Sequence, residues 1–295
     1  MRAHVLIIMA TITVASTFPI GQKISPMLNP VLIVLYRFLL SVLMMLPLLI
    51  FTNKIKLPSG RQLLQYLVLG ALYSGFFIFM FTALQDTTSL NTSVIYTLIP
   101  SMAAFFAYLI LKEKVRSIHF ILLPLGLLST VWVIFEGSWQ KFILFQFNSG
   151  DLVFALGCIL IPLHSIFLKK FHLGSKPLDL VFWSMLCGTI LLFFYALATN
   201  IELSLEVMSL ELGLWISYLS VMTIVTSYIW AYGVPIVGPM KLQAYSYLIP
   251  SLVLVINWLV LDKLTNWIVL PGVFIGVVIM FFLQRSGKKS LTAEI

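Results

Sequence analysis

Charged side chains are scarce in this chain of 295 residues, and acidic ones are the scarcest of all. Asp, Glu, Lys and Arg make up 9% of the sequence, against 61% hydrophobic residues, whereas about 25% of a typical soluble domain is charged. The mean hydropathy of +1.07 leaves too few polar residues to cover a water-soluble globule. The composition therefore excludes an ordinary soluble fold and indicates an integral membrane protein.

Cysteine and histidine are rare as well. The two cysteines, Cys158 and Cys187, both fall within long apolar runs, where cysteine usually behaves as a small buried hydrophobe, so a disulfide framework is not expected. The four histidines are scattered without metal-ligand spacing. Neither a metal site nor another cofactor is predicted.

Motifs of enzymes and nucleotide-binding proteins are missing. A P-loop needs Gly-x-x-x-x-Gly-Lys-Ser/Thr, whose backbone amides hold phosphates. The similar stretch Ser-Gly-Lys-Lys-Ser at 286–290 has Phe282 at the position of the first glycine, so it is interpreted as part of a basic tail. Without a nucleophile–base pair or a cofactor fingerprint, the sequence predicts neither an enzyme nor an ATP-driven pump.

Ten apolar stretches are each long enough to cross a bilayer, which takes about 20 residues. They show no period-two alternation, and backbone groups in lipid must be satisfied within the segment, so helices are predicted. The first stretch lacks the small residues of a cleavage site, and we expect it to be retained as a helix. The ten stretches are 3–22, 30–51, 62–84, 89–111, 118–135, 151–168, 179–199, 211–232, 240–261 and 266–284.

Lys and Arg are distributed unevenly between the two sides of such a bundle. With the N-terminus inside, 14 of the 18 fall on the inner side, three on the outer side, and Arg37 within the second stretch. Because basic residues mark cytoplasmic loops, both termini are predicted to be cytoplasmic. The net charge of +8 then reflects topology and contact with anionic lipid head groups, and nucleic-acid binding is not expected.

One proline-centred stretch occurs twice. The tetrapeptide Leu-Ile-Pro-Ser lies at 98–101 in YTLIPSMAAFFAYLILKE and again, 150 positions later, at 248–251 in SYLIPSLVLVINWLVLDK. Each half of the chain then contains five stretches, and because five is odd the second half must insert upside down relative to the first. Inverted repeats of this kind are typical of secondary transporters.

In this order the features resemble the EamA family of the drug/metabolite transporter superfamily. They are the two five-helix halves, the proline-centred fourth helix ending in Leu-Lys-Glu-Lys (111–114), and Gly-Asp-Leu (150–152) at the entry to the second half. Asp262-Lys263 at the end of the ninth helix departs from the glutamate usual in the family.

The resemblance implies an all-α integral membrane fold with ten transmembrane helices in two inverted five-helix repeats, N-in and C-in. The first repeat would be 1–135 and the second 151–285, with a periplasmic linker at 136–150 and a cytoplasmic basic tail at 286–295. It further implies multi-pass insertion in the bacterial inner (plasma) membrane, transport of a small metabolite, and a cavity between helices 1, 3, 4, 6, 8 and 9.

No predicted helix has a central carboxylate, since all ten acidic residues lie at segment ends, in loops or in the tail. Small multidrug antiporters of the same superfamily use such a carboxylate to exchange protons for cationic drugs, so cationic cargo is not favoured. Two ionisable side chains lie within the spans, where charge is costly. Arg37 either extends outward to the membrane surface, pairs with a neighbouring helix end, or attracts an anion. His164 either binds cargo, with Gly157 on the same face leaving room, or contacts a neighbouring helix.

Polar and aromatic residues recur at helical spacing on the helices that the resemblance places around the cavity. Each taken alone also suits helix–helix packing, which uses the same residue types. Pro100 and Pro250 remove a backbone hydrogen bond in mid-helix and are predicted as kinks or hinges, while Gly126 and Gly276 are predicted to pack helix 5 against helix 10. The predicted substrate-binding residues are Thr17, Tyr73, Tyr96, His164, Ser227, Trp230, Gln243 and Tyr247.

These features predict a secondary transporter in the lipid bilayer that exports a small neutral or zwitterionic metabolite, such as an amino acid, by alternating access. Two alternatives stay open. One is an importer of a nucleotide-like or other anionic metabolite, and the other is a membrane assembly partner that transports nothing. A monomer or a homodimer is expected.

Overall fold

The computed structural model describes residues 2–52, 57–113, 118–135, 137–140, 148–171, 176–203, 208–261 and 267–285. Within these ranges the regular elements are all helices, and eight of them are long and apolar enough to cross a membrane. The predicted all-α, multi-pass fold is therefore confirmed. The predicted basic tail at 286–295 and most of the predicted linker lie outside the described residues.

The helices are numbered here by the stretches that they form. They are α1 (Arg2–Ile24), α2 (Pro30–Thr52), α3 (Gly60–Asp86), α4 (Ser89–Ile95, Tyr96–Leu98 and Ile99–Leu111), α5 (His119–Ile134), α6 (Ser149–Gly157 and Leu160–Phe171), α7 (Pro177–Ala198), α8 (Leu210–Val237), α9 (Pro239–Gln243, Ala244–Leu248 and Ile249–Leu261) and α10 (Leu270–Arg285). With 16 residues each, α5 and α10 are shorter than the eight candidate spans, so the ten-span topology with both ends inside stays a prediction.

Local sequence explains where several helices begin. The Ser59 side chain accepts from the backbone N–H of Gln62, and the Gln62 side chain accepts from the backbone N–H of Ser59, which is a capping box at the start of α3. Asn148 and Asp151 form the same arrangement at the start of α6. Pro177 opens α7, where its missing N–H would have had no helical partner.

The helix α8 runs further than the sequence predicts. The predicted stretch ends at 232, but the helix continues through Pro235 to Val237. It ends at Gly238, which has a φ of 83°, a conformation that glycine adopts without steric cost. Because α9 starts at Pro239 immediately afterwards, the connection between the two helices is a single glycine.

The two proline-centred helices are interrupted at equivalent places. In α4 a 3₁₀ segment, Tyr96–Leu98, precedes Pro100, and in α9 the 3₁₀ segment Ala244–Leu248 precedes Pro250. A proline cannot donate to the carbonyl four residues earlier and clashes with it. In both helices that carbonyl, of Tyr96 or Ser246, instead accepts from the N–H three residues later. The breaks follow from the prolines, while their role as hinges stays a prediction.

Helix contacts come in pairs that are related by exchanging the two halves of the chain. α3 packs on α6 and α7, and its counterpart α8 packs on α1 and α2. α4 contacts α6, and its counterpart α9 contacts α1. α2 packs against α7, and α5 against α10. The outer faces of the helices expose leucine, isoleucine and phenylalanine side chains, as expected where the surrounding solvent is lipid. The fold therefore consists of two structurally equivalent repeats.

Candidate functional site

A cavity lies among α1, α2, α3, α4, α6 and α8. Tyr73, which lines it, is near the middle of α3, so the cavity lies deep in the bundle. Among the described residues α9 contributes nothing to its lining, whereas α2 does, which corrects the helix set that the family resemblance implied. Aromatic rings dominate the wall, and they belong to Phe18, Tyr73, Phe76, Phe77, Tyr96 and Trp230.

These rings hold one another in place. Phe18 meets Tyr96 edge to face, with 5.5 Å between the ring centroids and 80° between the planes. Phe76 contacts Tyr96 at 5.9 Å, and Tyr73 contacts Phe77 at 5.0 Å, both again edge to face. Pairs of this geometry are each worth about 0.5–1.5 kcal/mol beyond the area they bury. The wall is therefore a preformed, rigid surface suited to apolar or aromatic parts of a cargo.

The cavity wall follows the sequence repeat. At the offset of 150, Phe76 of α3 corresponds to Thr226 of α8, and Met80 corresponds to Trp230, and all four line the cavity. Two pairs of equivalent positions from α3 and α8 thus line the cavity, which lies between the two halves. This is the location of substrate sites in transporters built from repeats.

Four of the predicted substrate-binding residues line this cavity, namely Thr17, Tyr73, Tyr96 and Trp230. A fifth, Ser227, donates to the Tyr73 hydroxyl at 3.0 Å and so fixes the position of a lining side chain. The structure thus brings together five residues from α1, α3, α4 and α8 that the sequence singled out. Their role in binding stays a prediction.

His164 lies next to the cavity and contacts its wall. The imidazole is buried and stacks on Tyr73, with 5.0 Å between ring centroids and 24° between planes. Its Nδ1 atom has no hydrogen-bond partner. Gly157 does not leave room for cargo on this face, because a Cβ there would lie 2.5 Å from the Cβ of Phe79. The missing side chain instead lets α6 approach α3.

Two predicted substrate-binding residues lie elsewhere. The amide Nε2 of Gln243 donates to Ser165 Oγ at 2.7 Å and joins α9 to α6. Tyr247 lines a second cavity, and a Cβ on Gly126 would lie 2.4 Å from its hydroxyl oxygen. Gly276 lies on the other side, 3.5 Å from the Tyr247 carbonyl oxygen by the same measure. The two glycines therefore accommodate Tyr247 between α5 and α10.

Arg37 is the charged residue in the central cavity wall. Its side chain is fully buried, with 2% of its surface exposed. Its Nε donates to Thr223 Oγ1 at 2.5 Å, and its Cζ lies 4.0 Å from the centre of the Phe77 ring. Arg37 is thus paired with a neighbouring helix as expected, but its partner Thr223 lies in the middle of α8 and not at a helix end. Sequence reasoning left Arg37 out of the site because the helix that faces it cannot be read from one sequence.

The contacts of Arg37 do not neutralise it. The Nη1 atom has no hydrogen-bond partner, and no carboxylate of the described residues pairs with the guanidinium. Burying an ion costs several kcal/mol even after relaxation. A hydrogen bond to a charged group returns about 1.5–3 kcal/mol, and a desolvated cation–π contact about 2 kcal/mol. A buried cation with spare donor capacity is thus left at the cavity.

Polar contacts tie the helices together at both ends of the bundle. At one end the Gln22 side chain accepts from the backbone N–H of Ser89 at 2.8 Å, and Ser89 Oγ donates to Asn257 at 2.8 Å. At the other end His4 Nδ1 lies 2.6 Å from the Tyr245 hydroxyl. The contacts join α1 and α4, which line the cavity, with α9, which packs beside them.

Comparison with known proteins decides the family. Residues 1–135 and 148–284 match the EamA-like transporter family. The chain belongs to this family. The resemblance seen in the sequence is therefore confirmed, and the protein is a multi-pass membrane transporter of the EamA-like family.

Two relatives of this EamA-like protein agree with that assignment. The chain is 25% identical over 292 residues to YyaM, an uncharacterized transporter of Bacillus subtilis strain 168, covering 97% of this chain and 94% of the relative. A crystal structure with 18% sequence identity superposes with a TM-score of 0.73 over 95% of this chain and 97% of the other. The second likeness shows a shared fold.

Proposed function

We propose that this EamA-like protein is a secondary transporter that exports a small neutral or zwitterionic metabolite across the plasma membrane by alternating access. The observation that supports this most directly is the central cavity, whose wall uses equivalent positions of both repeats. Exchanging the conformations of two equivalent halves opens such a site to one side and then to the other. Tyr73, Tyr96, Trp230 and Thr17 are the proposed cargo contacts.

The chemistry of the wall limits the cargo. Rings of Tyr73, Tyr96 and Trp230 provide apolar surface, and the Thr17 and Thr226 side chains provide hydroxyl groups. No carboxylate belongs to the described lining, and the one ionised group there is a cation. A cationic cargo would therefore meet repulsion without a counter-ion, which favours neutral and zwitterionic metabolites.

The contacts at the two ends of the bundle suit alternating access. The bonds of Ser89 with Gln22 and Asn257 at one end, and that between His4 and Tyr245 at the other, are few and polar, so they break and form again at small cost. Both sets involve α9, and one of them α4, the helices that are broken before Pro100 and Pro250. We propose that these breaks let the helix halves move separately.

Metabolite profiling of the medium and the cytosol tests the proposal. Cells overproducing the protein are compared with cells producing a Tyr96→Ala/Trp230→Ala variant. The matched control is Tyr108→Ala/Trp258→Ala, which removes the same residue types from exposed positions of α4 and α9. We expect one or more small metabolites to accumulate outside with the intact protein and the control, but not with the cavity variant.

Other outcomes would change the assignment. Enrichment of a metabolite inside the cells would reverse the proposed direction and make the protein an importer. Equal profiles for all strains, together with a stoichiometric partner after purification, would instead favour an assembly role. Accumulation that is unaffected by the cavity variant would remove Tyr96 and Trp230 from the transport path.

A further inference from the structure

We propose that Arg37 is the anion-binding group of the central cavity and that the cargo carries a carboxylate. The inference builds on the transport proposed above, since it assigns the cargo of the same cavity. It narrows the cargo from neutral and zwitterionic metabolites to those with an acid group, and it gives the arginine a defined partner.

The first step of the argument is the charge balance around Arg37. The guanidinium is buried and lines the cavity. The ion pairs of the described residues, Lys23–Glu211 and Lys169–Glu113, involve other groups at the helix ends. A cation in a membrane-spanning segment is costly and usually pairs with an opposite charge or with backbone carbonyls. Because no carboxylate of the described residues pairs with Arg37, an anionic cargo in the cavity would supply the missing partner.

The second step is the geometry of the side chain. Thr223 occupies Nε, the ring of Phe77 lies against Cζ, and Nη1 is left without a partner. Two neighbours therefore hold the arginine in one position, while Nη1, which belongs to its donor fork, is buried without a hydrogen-bond partner. A guanidinium matches a carboxylate with two parallel hydrogen bonds, which a lysine ammonium does not.

A further donor lies close by. Ser227 and Tyr73 hold one hydrogen bond between their hydroxyl groups, so the pair has one more hydrogen to donate. Tyr73 also lines the cavity. One guanidinium and one hydroxyl group provide the donors that a single carboxylate needs, whereas a doubly charged phosphate would call for additional cations.

The third step is that only one repeat has this charge. At the offset of 147 that relates Pro30 to Pro177, Arg37 corresponds to Ser184 in α7. The equivalent helix, α7, forms with a neutral residue at this position. The repeat architecture therefore does not require a charged residue there. A charge that the architecture does not require is a functional feature by default when it lies within a membrane.

Thermal unfolding of the purified apo protein in detergent gives the first test. If the charge of Arg37 is uncompensated until an anion binds, its replacement by a similarly sized apolar residue removes an unfavourable buried charge. We expect Arg37→Met to raise the unfolding midpoint by about 2 °C or more. The control Arg61→Met removes an exposed arginine at the start of α3 and should leave the midpoint unchanged. A lower midpoint for Arg37→Met would mean that the arginine stabilises the fold, which overturns the proposal.

Binding of a matched acid and amide gives the second test. The probes are phenylacetate and its neutral analogue phenylacetamide, measured by the shift of the unfolding midpoint, with sodium chloride as the inorganic anion. We expect the wild type to bind the acid about tenfold or more better than the amide. Arg37→Met should lose that preference, and Arg37→Lys should keep part of it because it retains the charge.

The outcomes separate this inference from the transport proposal. Equal binding of acid and amide by the wild type, or an unchanged preference in Arg37→Met, would refute the carboxylate site at Arg37. The proposal of export would not be affected. A chloride response that depends on Arg37 and leaves phenylacetate without effect would replace the carboxylate by an inorganic ion, and so also overturn it. An acid preference that depends on Arg37, in a protein whose cells show no altered metabolite, would keep the site and count against the proposed export.

Discussion

The helices α4 and α9 share a proline-centred sequence and the same interruption, yet they play different parts in the molecule. Tyr96 of α4 lines the central cavity, while the residue 150 positions later is Ser246, which does not line it. Tyr247 of α9 lies between α5 and α10, and its counterpart in α4 is Thr97. The repeat thus preserves the backbone geometry, while the two halves place different side chains at equivalent positions.

The helices α3 and α8 show the same division. Tyr73 and Phe77 of α3 correspond to Thr223 and Ser227 of α8, so one repeat presents two rings where the other presents two hydroxyl groups. The two sets meet across the cavity, since Ser227 donates to Tyr73, and Arg37 contacts both Thr223 and Phe77. Two identical halves would provide two rings or two hydroxyls at this point, and neither arrangement would hold the arginine.

The largest expected contrast is between the alanine variants of Tyr247 and Tyr96, in stability and in flux. Tyr247→Ala removes a fully buried ring from between two helices and should lower the free energy of unfolding by about 3–5 kcal/mol. It should leave flux per folded molecule unchanged. Tyr96→Ala should instead abolish most of the flux, because it removes a cavity wall. Unfolding curves and initial flux rates in proteoliposomes measure both. Equal flux defects in the two variants would contradict the division of roles between α4 and α9.

Alanine substitutions at the two repeat-related glycines, Gly126 and Gly276, should differ almost as clearly in their effect on stability. In Gly126→Ala the new Cβ would lie 2.4 Å from the Tyr247 hydroxyl oxygen, and overpacking of this kind costs about 1–3 kcal/mol. In Gly276→Ala the nearest atom is 3.5 Å away, an ordinary contact, so the change should be close to neutral. Chemical denaturation of both variants under the same conditions compares them. A neutral Gly126→Ala would show that Tyr247 has room to move.

Removal of the Ser227 hydroxyl should affect mainly the binding of cargo in the cavity. Ser227→Ala deletes the hydrogen bond to Tyr73, a loss of about 0.5–1.5 kcal/mol. We expect a small decrease in stability and a severalfold weaker apparent affinity for cargo, because Tyr73 is less firmly positioned. Flux measured against cargo concentration provides the readout. Ser217→Ala on the same helix, whose hydroxyl donates to its own helix, is the control.

The smallest effect is expected at the helix ends. Lys169→Met removes the partly exposed ion pair with Glu113, and pairs of this type contribute about 0–1 kcal/mol. Stability should change by no more than that, and flux should hardly change. An effect of several kcal/mol, measured by chemical denaturation, would show that this end of α4 and α6 is more strongly coupled to the bundle than the described contacts indicate.

The helices and their breaks could be predicted from the sequence because they depend on local properties. The predicted stretch 89–111 coincides with α4, and Pro100 and Pro250 determine where the regular helix is interrupted, since proline removes the same backbone bond in any context. Helical spacing and the family resemblance also predicted Tyr96 at the cavity, which it lines, although the same reasoning named Tyr247, which lies between α5 and α10.

The tertiary structure decided what each buried side chain meets. Tyr96 and Tyr247 look alike in the sequence. In the structure Tyr247 packs against Gly126 and Gly276, whereas Tyr96 lines the central cavity. Arg37 has no partner that can be found by spacing, because Thr223 is 186 residues away on a helix from the other repeat. Backbone constraints are local and can be read from the chain, whereas the partner of a buried charge depends on how helices from distant parts of the sequence pack together.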